Sequence, residues 1–220
     1  MPIRFAGWTK ERITESTGKF PVEIDEWLED MLTGKVIRDP GGLGTVGVGL
    51  LFDGGPGEGK TTHAAVAAME FVRRLPDDEA SARQILHTKV GEYGRALKVI
   101  QFLTFPEFLS LKKSAFDAEP DERRELHRVM EGLHGRAKED WLNVRLLVVD
   151  DLGKEAGSRY EDTSFDELLR ARYDKGLPTI ITTNYMREDW AVQYGEAMGS
   201  FAYEAFHRVR IQNKDLRKRG

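Results

Sequence analysis

The sequence contains no cysteine, which excludes disulfide scaffolds, thiolate zinc sites, iron–sulfur clusters and cysteine nucleophiles. It also lacks long apolar runs: stretches such as Leu146 to Val149 are far shorter than the roughly 20 residues a membrane-spanning helix requires. The opening residues, Met-Pro-Ile-Arg-Phe-Ala-Gly-Trp, have neither the apolar core nor the small-residue cleavage site of a secretory signal, so a cytoplasmic location is expected. An excess of positive charge is missing as well. With a net charge of −4 the chain cannot coat nucleic acid nonspecifically, and any DNA or RNA contact has to come from a local patch. Glycine and proline, 22 and 8 of 220 residues, are too few for a collagen-like or low-complexity chain. The length suits one domain, or one domain with a short appendage, large enough to bury a substantial core.

What is present is an alternation of two periodicities. Val46 to Phe52, Val-Gly-Val-Gly-Leu-Leu-Phe, is almost continuously apolar, as expected of a strand buried on both faces of a parallel sheet. Val99 to Thr104, Arg145 to Val149 and Pro178 to Thr183 read as strands in the same way. Thr61 to Arg74, Pro106 to Phe116, Asp121 to Trp141 and Asp162 to Tyr173 carry apolar residues at helical spacing. Strands and helices in turn predict an α/β fold with a central parallel sheet flanked by helices. Residues 77–93 are polar and mixed and read as a loop-rich connection. Val22 to Leu32 suits a short acidic amphipathic helix, and Asp39-Pro40-Gly41-Gly42 is a turn cluster that sets a boundary: a short N-terminal segment, 1–42, which is a possible partner-binding element, and a main domain, 43–220.

The strongest chemical signal is Gly54-Gly55-Pro56-Gly57-Glu58-Gly59-Lys60-Thr61, which satisfies G-x-x-x-x-G-K-[ST] between an expected strand and an expected helix. Gly55, Pro56, Gly57, Glu58 and Gly59 would wind the backbone N–H groups around phosphate oxygens, and the positive end of the helix dipole would point to the same place along with the amides of Lys60, Thr61 and Thr62. Lys60 would reach the β- and γ-phosphates of ATP, and Thr61 would offer its hydroxyl to Mg²⁺. The glycine spacing does not fit G-x-G-x-x-G, which disfavours a dinucleotide fold. Leu146-Leu147-Val148-Val149-Asp150-Asp151 places two acids at the C-terminal edge of a buried strand, where open α/β sheets hold their ligands. Asp150 is the expected Mg²⁺ residue. Asp151 would polarise the attacking water, although strand alternation sends the two side chains different ways. Pro178 to Asn184 ends in small polar residues, and Asn184 there would orient the water or touch the γ-phosphate, or else simply cap a turn.

Taken in order, Gly-Gly-Pro-Gly-Glu-Gly-Lys-Thr, Leu-Leu-Val-Val-Asp-Asp-Leu-Gly-Lys-Glu, Arg-Ala-Arg-Tyr and Pro-Thr-Ile-Ile-Thr-Thr-Asn resemble the AAA+ ATPases of the DnaC-type helicase loader and IstB-type transposition helper group, over about residues 44–217. The resemblance implies ATP binding and hydrolysis, a sheet with the Asp150 strand next to the phosphate-loop strand, binding of single-stranded DNA, and homo-oligomeric assembly into a ring or spiral on a replicative helicase. Lys60 and Thr61 match Walker A, Asp150 and Asp151 match Walker B, and Asn184 matches sensor 1. Phe206-His207-Arg208-Val209 resembles the arginine-finger segment, so Arg208 would reach a neighbouring subunit's γ-phosphate; Asp215-Leu216-Arg217 resembles the sensor 2 end, with Arg217 on the nucleotide. In many AAA+ proteins the second Walker B acid is Glu; Asp151 is one methylene shorter, and Glu155 would assist it. Cellular loaders carry a separate helicase-gripping domain, whereas about 42 residues precede the ATPase core here, as in a compact phage or plasmid form.

Lys112 and Lys113 are the expected DNA contacts, in a basic stretch with Phe105, Phe108 and Phe116 nearby. Three alternatives stay open on the sequence: a transposition helper ATPase, a P-loop small-molecule kinase, disfavoured because no arginine-rich lid follows the loop, and an adaptor that binds ATP but barely hydrolyses it.

Overall fold

The run Val46 to Phe52 has no polar face to offer water, and in the computed structural model its strand, β1 (Gly49–Asp53), is buried along its whole length. The structure describes residues 2–34, 46–86, 96–153 and 159–213. β1 joins β2 (Ile100–Thr104), β3 (Leu146–Leu152), β4 (Thr179–Thr183) and β5 (Phe206–Arg210) in one sheet of order β2-β3-β4-β1-β5, in which every pairing is parallel. Two expectations are corrected here. The Asp150 strand, β3, does not lie next to the phosphate-loop strand; β4 stands between them. The segment around Arg208 forms a fifth strand, in which Phe206 and Val209, three residues apart, are the buried positions, so it shows no strand period.

β1 and β4 approach closely. A Cβ on Gly49 would lie 1.9 Å from the Thr179 carbonyl oxygen, so only glycine fits at that point of the ladder.

The pleat sends successive residues of each strand to opposite faces and so divides the core in two. On one face Leu50, Phe52, Leu146, Val148, Ile180 and Val209 pack against α2 (Val22–Thr33) and α3 (Lys60–Arg74). On the other, Leu51, Leu147, Val149, Ile181 and Phe206 pack against α5 (Phe105–Asp117), α6 (Pro120–His134), α7 (Arg159–Tyr173) and α9 (Glu196–Ala205). The short α8 (Trp190–Tyr194) buries Trp190 on that second face. Residues 79–85, expected as loop, form α4 (Glu79–Ile85), with the Asp78 side chain accepting from the Ser81 N–H at its start. The rest of that expected connection, 87–93, lies outside the described residues.

The N-terminal residues 2–34 share this core. Ile24, Trp27, Leu28 and Met31 of α2 are buried against β1 and α3, and the Trp27 indole donates to the Val48 carbonyl at 3.0 Å. Asp25 of α2 also bridges Lys10 of α1 (Lys10–Thr17), at 2.5 Å, and Arg74 of α3, at 2.8 Å. The acidic amphipathic helix read from the sequence is therefore built into the main domain.

α7 is fastened by a cation with no carboxylate beside it among the described residues. Arg172 is fully buried and donates to the carbonyls of Leu133, Val144, Arg145 and Pro178 and to the Thr179 hydroxyl, at 2.7–3.2 Å. Burial, with Arg145 nearby, lowers its pKa to about 9, which still leaves it charged at neutral pH. One side chain thus ties the end of α6 to the starts of β3 and β4.

Candidate functional site

The loop between β1 and α3 is shaped by glycine at the points where the chain turns left-handed: Gly57 has φ 82° and Gly59, at the helix N-cap, φ 92°. Glu58 braces the turn from within. Its Oε2 accepts from the Gly55 N–H at 2.6 Å, while its own carbonyl accepts from Asn213 at 3.2 Å. Lys60 is the first residue of α3, nearly buried, and its ammonium donates to the Gly54 and Gly55 carbonyls at 2.9 and 2.7 Å and to Asn184 Oδ1 at 2.8 Å. His63, one turn on, sets its Nδ1 2.9 Å from the Gly59 carbonyl; burial lowers its pKa below the ordinary 6.5.

The acid of β3 comes to the same place. Asp150 is fully buried, and its Oδ1 accepts from the Thr61 hydroxyl at 2.8 Å and the Thr182 hydroxyl at 2.6 Å. Burial pushes the Asp150 carboxyl above the ordinary range, and the two threonine hydroxyls oppose that shift. Its Oδ2 is buried with no hydrogen-bond partner among the described residues; the nearest cation is Arg4, 3.8 Å away. A buried carboxylate oxygen left open next to a threonine hydroxyl is the hard-oxygen donor pair Mg²⁺ takes when substrate phosphates and water complete its shell. Among the described residues no three His, Cys, Asp or Glu side chains gather to hold a metal unaided. Thr61 and Asp150 are the residues that would hold it, and the ion would supply neutralisation of phosphate charge.

Asp151 escapes the alternation that would have turned it away. Its φ is +61°, it is the described non-glycine residue in the left-handed region, and the β3–β4 register shifts between Val149 and Leu152. Its N–H donates to Thr182 Oγ1 at 3.0 Å, and its side chain lines the same cavity as the loop. Thr182 therefore sits between both acids, donating to Asp150 and accepting from Asp151. Sequence reading missed this residue, although a hydroxyl in the middle of a fully buried strand is a signal that it has polar work to do.

The cavity has a volume of about 430 Å³ and is lined by Pro56, Gly57, Gly59, Lys60, Thr61, Thr62, Asp151 and Asn184. Its remaining wall, Arg4, Phe5 and Trp8, comes from the N-terminus. No sequence signal pointed to these three, because nothing local ties them to a loop 50 residues on. A second cavity of similar volume lies at the β2 edge between α5 and α6, away from the loop and both acids.

Other expected site residues do not line this cavity. Arg208 lies on β5 opposite Leu51, with its Nε 2.7 Å from Asp53 Oδ2 and its Nη1 and Nη2 on the Glu188 carboxylate. Burial works against its charge, but Asp53 and Glu188 more than offset this and raise its pKa above the ordinary value. Lys112 donates to Ser164 at 3.0 Å and Glu167 at 2.9 Å, and Lys113 lies 3.7 Å from Glu161, so both lysines are joined to α7. Phe105 and Phe108 are core residues, while Phe116 is exposed. Glu155 and Arg217 lie outside the described residues.

A five-stranded parallel sheet flanked by helices, with a glycine-rich loop after β1 and an acid at the end of β3, is an α/β fold of the P-loop type. Among solved structures, the chain is similar to DnaI (TM-score 0.58, 20% identity, covering 96% of this chain and 95% of that one) and to the DnaC helicase loader (TM-score 0.53, 22% identity, 87% of each chain). It is also similar to the replication initiator DnaA bound to AMPPCP and single-stranded DNA, with TM-score 0.55 and 14% identity over 88% of this chain and 45% of that one. The sequence matches no protein-family model, and a search of curated proteins finds no significant relative.

Proposed function

We propose that this protein binds ATP with Mg²⁺, hydrolyses it, and serves DNA replication as an ATPase that engages single-stranded DNA and helps load a replicative helicase. The observation that carries the nucleotide reading is one hydrogen-bonded set drawn from three separate elements. Lys60 reaches Asn184 across 124 residues of sequence, and Thr61 reaches Asp150 across 89. A lysine, a hydroxyl, a carboxylate and an amide converging on a glycine-rich loop are the parts phosphoryl transfer needs, since that reaction is catalysed mainly by positioning and charge.

Asp151 is the residue we assign to polarising the attacking water, and Asn184 the one that orients it. The fold shared with a helicase loader and with an initiator supports the replication reading, as does the series of motifs from Gly54 to Asn184. Assembly into a homo-oligomeric ring or spiral belongs to the same proposal, as does DNA contact through Lys112 and Lys113, which would have to exchange their α7 carboxylates for phosphates.

Calorimetric titration of the protein with ATP and Mg²⁺ tests the first step: saturable heat is expected from the wild type and none from Lys60→Ala. Turnover that rises with single-stranded DNA and with protein concentration is expected from the second. Affinity for DNA should fall steeply with salt, with a slope reduced by about one charge for each lysine removed; an unchanged slope in Lys112→Ala and Lys113→Ala would exclude that patch.

A further inference from the structure

The N-terminal turn contributes a cation to the metal end of the cleft. Its backbone is fixed: Phe5 is buried and packs on the Phe102 ring at 5.9 Å, its N–H donates to the Pro2 carbonyl, and Trp8 N–H donates to the Phe5 carbonyl. The Arg4 side chain next to that anchor is 65% exposed, lies over the Phe5 ring at 4.8 Å, and points its Nη2 toward Asp150 Oδ2 from 3.8 Å. That separation is an attraction between charges and falls well outside the 2.7–2.9 Å of a charge-assisted hydrogen bond. The ion pairs that hold the fold together are closed by contrast: Arg145 meets Asp140 at 2.6 Å, with both side chains nearly buried.

Arg4 is therefore an exposed guanidinium on a hydrogen-bonded turn, with its hydrogen-bonding capacity toward Asp150 unused, in a cavity it shares with Lys60, Thr61, Asp151 and Asn184. A triphosphate seated on Lys60 with its metal at Asp150 and Thr61 would put its terminal phosphate within this group. The metal would also take over the charge that now draws Arg4 to Asp150. Guanidinium binds phosphate oxygens through two parallel N–H donors, and the rotation needed costs little for a side chain so exposed.

We propose that Arg4 is a terminal-phosphate residue, supplied in cis by the N-terminal turn, which exchanges Asp150 for the γ-phosphate and so makes the site favour ATP over ADP. This rests on the nucleotide reading above and goes beyond it by assigning a phosphate contact within the same chain, distinct from any arginine a neighbouring subunit offers.

Calorimetry on the full chain, with MgATP and MgADP titrated separately, tests it. Arg4→Ala is expected to weaken MgATP about tenfold, the scale of one lost hydrogen bond to a charged group, while leaving MgADP unchanged. Arg4→Lys should recover part of the loss. Equal weakening of both nucleotides would overturn the proposal, as would tighter MgATP binding, which would make Arg4 only a cover over Asp150. Arg4→Gln keeps the side-chain stem, so the comparison stands even if the alanine variant melts at a lower temperature. A wild-type chain that binds neither nucleotide would instead remove the nucleotide reading itself.

Discussion

Arg208 Nε stands 2.7 Å from Asp53 Oδ2, joining the last strand of the sheet to the residue from which the phosphate loop departs. Asp53 is fully buried, and the same Oδ2 accepts from the Arg187 N–H at 3.1 Å, just after Asn184. One carboxylate thus aligns three pieces of chain around the site: the end of β1, the loop beyond β4, and β5.

Removing the guanidinium would leave Asp53 as an uncompensated buried charge. Arg208→Ala should cost about 3 kcal/mol of folding stability, read as a lower denaturant midpoint, and Arg208→Lys should restore part of it. If Arg208→Ala instead keeps the wild-type midpoint and only slows turnover, the residue acts on a neighbour's nucleotide and the pairing with Asp53 is incidental.

Arg172 should tolerate exchange even less. Its donors serve four carbonyls and a hydroxyl, and Arg172→Ala would take a donor from each of these buried groups, of which the Pro178 carbonyl keeps the Leu147 N–H. A loss of about 3–5 kcal/mol is expected, without rescue in Arg172→Lys, whose single ammonium cannot span the same acceptors. Chemical denaturation of the purified variants measures it. A lysine variant of wild-type stability would show that charge, and not the fork of donors, is what α7 needs.

Asp151 combines a chemical demand with a backbone one. Asparagine tolerates the left-handed region at least as well as aspartate, so Asp151→Asn should fold and bind nucleotide while losing hydrolysis. Asp151→Val, β-branched at φ +61°, should lose a further ~1–3 kcal/mol of stability. Equal stability of the two variants would argue against the strained turn.

Asp150→Asn should spare nucleotide binding, because an amide oxygen still accepts from Thr61 and Thr182, yet remove the dependence of affinity on Mg²⁺. Titrations with and without the ion decide this. Persistent magnesium dependence would move the metal to another group.

Acid should weaken the fold through histidine. Burial holds both His63 and His134 below the ordinary 6.5, so the native chain keeps them neutral where the unfolded chain takes up protons. Their contribution is complete above pH 6.5 and is lost as pH falls through that value toward the native ones. Calorimetric melting temperatures should fall between pH 7.5 and 5.5, and His63→Gln should flatten the decline; a slope the substitution leaves unchanged would assign the acid sensitivity elsewhere.

The sequence alone determined whatever depends on neighbours in the chain. The apolar run before Gly54 had to be a buried strand, the glycines after it had to turn, and the alternation of strand and helix left a parallel sheet as the fold class. Lys60, Thr61, Asp150 and Asn184 were legible for the same reason, each standing at the end of an element whose direction was known. Tertiary structure alone decided which strand lies beside which, so β4 came between the loop strand and β3 although sequence order gives no hint of it. It also decided what each charge meets. Arg208 found Asp53, Lys112 found α7, and Arg4 found Asp150, because opposite charges pair by distance in space, which a residue's position along the chain does not record.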